Sequence, residues 1–170
     1  MILSLLSYFR RQQEKKTLYR NFIFGVEDAL VSTVGLLSGV AAASASRHTI
    51  ITSGIVLIFV EAFSMAIGSY LSEETTEKGR RGRTLASHAA SVMFVSYLVA
   101  GCVPLIPYLI TPVSVAYPLS IVVALTALVA LGIHSAIRFT LPIMGKAVEM
   151  VILGGLATLV GVAIGSLLKA

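Results

Sequence analysis

Five apolar stretches of about 20 residues, at 22–43, 49–71, 88–110, 116–139 and 147–168, leave this chain few ways to fold. At 1.5 Å per helical residue, each reaches about 30 Å, the thickness of a bilayer's hydrocarbon core. In that layer a chain must satisfy its backbone polar groups internally. The expectation is therefore an all-α integral membrane bundle of five transmembrane helices. Composition agrees: 56% of the residues are hydrophobic and 12% charged, which excludes a water-soluble domain of ordinary surface chemistry. The link at 44–48 is short enough to set the first two helices as an antiparallel hairpin and neighbours. Pro104 and Pro107 fall late in the third stretch and predict a kinked end.

The net charge of +5 does not point to nucleic acid, because the basic residues sit between apolar runs and form no helix face interleaved with aromatics. Their positions set an orientation instead. Arg10, Arg11, Lys15, Lys16, Arg20, Lys78, Arg80, Arg81, Arg83, Arg138 and Lys146 share one side, and only Arg47 and Lys169 fall on the other. The N-terminus is accordingly expected in the cytoplasm and the C-terminus outside or in a lumen. Met1 to Phe9 is apolar and precedes its basic residues, the reverse of a signal peptide. Residues 1–20 thus read as a cytoplasmic interfacial segment, and 21–170 as a single transmembrane domain. With no Trp, an interfacial aromatic belt falls to Tyr19, Tyr70, Tyr97, Tyr108 and Tyr117. Cys102, the one cysteine, excludes an internal disulfide and reads as a small buried hydrophobe.

Acids within the spans carry the functional signal. At 100° per residue, Asp28, Ser32, Gly35 and Gly39 form a narrow stripe on the first helix, and Glu61, Met65, Gly68 and Ser72 repeat its offsets on the second. Asp28 and Met65 each lie six residues from the basic end, roughly 9 Å deep, and Glu61 about one turn deeper. A charge at a helix centre costs about 2.5–3.5 kcal/mol on insertion scales, so function is the default reading. The alternative is a structural acid paired with a neighbouring helix or an arginine. Carboxylates with a thioether suit a borderline divalent ion such as Fe²⁺.

Glu27 points about 100° away from Asp28 and is a candidate for a cytoplasmic vestibule. Glu73, Glu74 and Glu77 cluster at the mouth of the second helix. They either concentrate cations or are balanced by Lys78, Arg80, Arg81 and Arg83. His88 and His134 read as interfacial, and Glu149 as complementing a helix N-terminus. Gly161 and Gly165, with Gly154 and Gly155, suggest close helix packing and a dimer contact. No nucleophile elbow, phosphate loop or paired-histidine motif occurs, which points away from catalysis.

These segments have a family likeness. GVEDALVSTVGLLSGVAAA at 25–43 and EAFSMAIGSYLS at 61–72 resemble the first two helices of the vacuolar iron transporter family. The family's Asp, small, aliphatic, V-S-T element is present as Asp28, Ala29, Leu30, Val31, Ser32 and Thr33, and its S-M-A-x-G element as SMAIG at 64–68. VPLIP at 103–107 and KAVEMVILGGLA at 146–157 are similar to its third- and fifth-helix segments. The resemblance implies a homodimer with its pathway between the subunits. It also implies export of Fe²⁺, and often Mn²⁺, from the cytosol in exchange for protons, with no permanently bound cofactor. Asp28 and Met65 stand at positions the family uses for ions; Glu61, placed by helix geometry and not by the resemblance, is expected to serve as a deeper relay that binds metal or proton.

The membrane would be the cell membrane in a prokaryote or the vacuolar membrane in a eukaryote. Two departures stand out. The long Glu-rich cytosolic domain of better-known members is replaced by 72–87, and Glu61 lies one turn from Leu57, where some relatives carry a glutamate. The competing readings are a non-transporting membrane scaffold and a transporter of another cation.

Overall fold

The computed structural model describes residues 2–76 and 80–169, without the side chains of 2–7, 9, 10, 80 and 81. The chain forms α1 (Ile2–Ala42), α2 (Arg47–Thr76), α3 (Arg80–Ile110), α4 (Val113–Phe139) and α5 (Ile143–Leu168). All five are long and apolar enough to cross a membrane, and the fold is a membrane helical bundle. The far ends fall within three residues of the apolar stretches. At the basic end α2 and α3 run on into polar sequence, because hydropathy marks the lipid slab whereas a helix stops only at a cap or a breaker. Residues 2–20 are helical and continue without interruption into the first span. The resulting 41-residue helix is about 60 Å long, twice the hydrocarbon thickness.

Local chemistry ends the helices. After α1, Ser44 adopts a left-handed φ of 62°. The Ala45 N–H donates to Val40 O at 3.3 Å and the Ser44 N–H to Ala41 O at 2.9 Å, the paired bonds of a Schellman cap. Ser46 then starts α2 by accepting the Thr49 N–H on its hydroxyl at 3.1 Å. Pro112 and Pro142, each with extended backbone, begin α4 and α5. Pro104 and Pro107 do not end α3, which continues to Ile110. The Ser120 hydroxyl donates to Pro104 O at 2.6 Å. Arg47 donates to Tyr108 O at 2.7 Å and Leu109 O at 2.6 Å, so a cation from α2 caps the negative end of α3.

α1 is the hub of the bundle and touches the other four helices. α1 and α2 meet as the antiparallel neighbours expected, although α3 packs far more extensively against each of them than they do on one another. A four-residue link fixes direction without forcing close contact along the full length. Two apolar clusters fill the interior. One gathers Ala29, Leu30, Ala62, Tyr97, Ala100, Leu128 and Met150, and the other Leu37, Ile50, Ile58, Leu105, Tyr108 and Ala116.

The α1–α5 seam is backbone against backbone. A Cβ on Gly39 would sit 2.7 Å from Gly161 O and one on Gly35 3.1 Å from Ala157 O. Cβ atoms on Gly161 and Gly165 would collide with the carbonyls of Gly35 and Gly39. The Gly161 and Gly165 pair therefore packs within one chain, where a contact between copies was also expected. Gly154 packs on Leu125 and Leu128, whereas Gly68 and Gly155 have open space around them.

The outer surface carries large apolar side chains, among them Phe59, Phe63, Val99, Leu159 and Leu167, as a lipid-facing surface requires. Cys102, expected inside, is exposed on this surface. Tyr97 and Tyr108, expected in an interfacial belt, are fully buried.

Candidate functional site

Of the two acidic stripes, Asp28 on α1 and Glu61 on α2 come within electrostatic reach of one another. Antiparallel contacts fix the register. Arg20 pairs with Glu73 and Asn21 with Ser69 near the basic end, and Leu37 packs on Gly54 towards the other. Interpolation between these pairs puts Asp28 opposite residues 62–65, at the level expected from depth alone. Asp28 and Glu61 are both half-buried, and each carboxylate lies in the other's field. Met65 packs against the cluster that contains Ala29, Leu30, Ala62 and Tyr97.

Tyr97 supplies a member that the motif reading missed. Its buried hydroxyl and Ser32 Oγ hydrogen bond one another at 2.6 Å, and the charges of Asp28 and Glu61 both act on it. The available signal was its place near the middle of the third apolar stretch. A phenol there has no water, so its O–H needs a protein partner. The stripe on α1 is accordingly shared among neighbours: Asp28 faces the charge on α2, Ser32 bonds α3, and Gly35 and Gly39 abut α5.

The acids at the basic end are not a free cluster. Arg20 donates to Glu73 at 2.6 Å, with the Glu73 side chain only 7% exposed and Arg20 71% exposed. Beside this pair Ser69 donates to Asn21 Oδ1 at 2.6 Å, and Asn21 donates to Thr17 O at 3.0 Å. Glu74 accepts from Arg83 Nε at 3.2 Å, in line with the charge-balanced alternative. Glu77 and Lys78 lie outside the described residues. Glu27 borders a separate cavity of about 360 Å³ with Arg20, Asn21 and Phe139, and Lys146 and Glu149 of α5 act on it electrostatically. Lys146 and Glu149 pair with one another at 2.7 Å.

Chemically, one chain offers two carboxylates, a thioether and a Ser–Tyr hydroxyl pair inside the membrane. Like charges this deep repel one another, and a cation between them relieves the repulsion. Among the described residues no three of His, Cys, Asp and Glu gather as a ready metal cluster.

The sequence model of the VIT family matches residues 19–82 and 75–166, nearly all of the membrane part. The chain belongs to the VIT family. Within this VIT chain, the two matched pieces overlap at 75–82, from the end of α2 to the start of α3. It is similar to vacuolar iron transporter homolog 5 of Oryza sativa subsp. japonica, 29% identical over 156 residues that cover 82% of this chain and 74% of the relative. It is also similar to vacuolar iron transporter 1 of Arabidopsis thaliana, 36% identical over 58 residues. That match covers 34% of this chain and only 23% of the relative.

Proposed function

We propose that this VIT-family chain is a homodimeric exporter that moves Fe²⁺, with Mn²⁺ as a second substrate, out of the cytosol in exchange for protons. The observation that carries the reading is the intramembrane acid pair, Asp28 with Glu61, beside the Met65 thioether. Borderline-soft first-row ions match such a mixed oxygen and sulfur donor set better than Mg²⁺ or Ca²⁺ do. One chain contributes too few ligands to enclose a dehydrated ion, and two copies facing across α1 and α2 would double the set. In this reading Asp28 and Met65 of both subunits hold the ion. Glu61, one turn further in, exchanges metal for proton. The basic end lies in the cytosol, as the distribution of Lys and Arg supports.

Purified protein in proteoliposomes tests this reading. Wild type should take up Fe²⁺ and Mn²⁺ in preference to Zn²⁺ and Co²⁺ when offered as competitors. Asp28→Asn should abolish flux at unchanged protein level and dimer fraction, and Glu61→Gln should remove the pH dependence of flux. Unchanged flux in Asp28→Asn would sink the site assignment. No metal uptake by purified wild type would favour a scaffold.

A further inference from the structure

A second cavity lies on another side of the bundle and contains none of the acids discussed above. It is a groove of about 900 Å³ between α3 and α4, floored by Phe22, Val26 and Leu30 of α1. It exists because the facing positions are small: Ala100 on α3, and Ala127 and Ala130 on α4, cannot fill the space between the helices. We propose that this groove is a binding site for an anionic phospholipid of the leaflet at the basic end, with an acyl chain in the groove and the phosphate at its mouth.

Three observations support this occupant. The groove runs along α3 from Ser91 to Val103, about 18 Å at 1.5 Å per residue, and stops there. That is close to one leaflet, half of a hydrocarbon core of about 30 Å, whereas a docked helix from another subunit would need a groove across the whole span. Its wall is almost wholly apolar: Ser96 partway along donates its hydroxyl to Met93 O, and the polar groups Ser91 and His134 lie at the end nearest the basic surface. Beyond that end stands a cationic and aromatic cluster. Tyr19 packs against His134 and Phe139 with ring centroids 5.9 and 5.4 Å away, and Arg138 lies 5.9 Å from the Tyr19 centroid. Arg138 is one turn beyond His134 on the same face of α4, and no carboxylate among the described residues pairs with it. An exposed guanidinium at headgroup depth, over an aromatic ring and above an apolar slot, suits a phosphate diester with its tail below.

The test uses the full chain in nanodiscs of equal phosphatidylglycerol and phosphatidylcholine, extracted into detergent and weighed by native mass spectrometry. Wild type should retain phosphatidylglycerol about fivefold over phosphatidylcholine, the preference expected from one basic residue near an anionic surface. Arg138→Gln should bring the ratio to about one while a lipid is still retained. Ala130→Phe, which fills the groove from an exposed position, should abolish retention of both lipids. Circular dichroism and gel filtration of both variants check that fold and oligomeric state are kept. Equal retention of the two lipids by wild type would overturn the proposal. So would Ala130→Phe retaining lipid normally, or dissociating a dimer without losing lipid.

Discussion

Replacing Gly161 by alanine adds one methyl group where the structure has no room for it. The new Cβ would run into Gly35 O on α1, and this is backbone, which cannot turn aside as a flexible side chain would. Carbon and carbonyl oxygen settle at about 3.3–3.6 Å, so α1 and α5 would have to part by on the order of 1 Å. Gly39 and Gly165, in register one turn further along, would lose their contact as well. Overpacking of this kind costs about 1–3 kcal/mol. In lipid the loss falls directly on stability, because close packing rather than water exclusion holds such helices together. Gly155, on the same helix, provides the control. Nothing lies within 4 Å of the position its Cβ would take, so Gly155→Ala should be neutral or gain up to about 1 kcal/mol from helix propensity. Unfolding in mixed micelles with increasing SDS, followed by far-UV circular dichroism, should therefore separate the two variants by about 1–4 kcal/mol. If Gly161→Ala proved as stable as Gly155→Ala, the backbone seam between α1 and α5 would be refuted.

Other expectations use the same unfolding assay. Arg20→Ala leaves Glu73 buried without its partner and should cost on the order of 2 kcal/mol, whereas Glu73→Gln, which leaves a well-hydrated arginine, should cost clearly less. Equal losses would mean that the pair contributes through packing alone. Tyr97→Phe and Ser32→Ala should each cost about 1 kcal/mol, and the double variant little more than either single one. Full additivity would show that the hydroxyls do not depend on one another. Arg47→Ala strips the cap from α3 and should cost about 1 kcal/mol, with faster amide hydrogen exchange at the end of α3 and not elsewhere.

The span count was legible because hydropathy reports the slab a helix must cross, and depth along antiparallel helices was enough to level Asp28 with Met65. What sequence could not supply was azimuth between neighbours. Twenty-residue runs apolar on nearly every side do not reveal which face meets which helix, so Gly161 and Gly165 read equally well as contacts within a chain or between chains. Cys102 was misjudged for a related reason: in lipid a small apolar side chain incurs no penalty at the surface, and composition loses its power to separate inside from outside. The polar residues within the spans carried more information. Ser32 marked a true interior contact, and Tyr97 could have been read the same way. Glu73 reads from sequence as one acid of a cluster, and its pairing with Arg20 is not legible because that partner lies 53 positions away on another helix.

The two ties that join α1 to α2 at the basic end differ in what can loosen them. Arg20 stands mostly in water, and its attraction for Glu73 is screened as added salt shortens the Debye length from about 8 Å at physiological strength to about 3 Å at 1 M. The Asn21–Ser69 bond is neutral and buried, so salt leaves it alone. The separation of the two helices above Asp28 is therefore partly a property of the solution, graded by ionic strength, and the remainder is fixed by the fold.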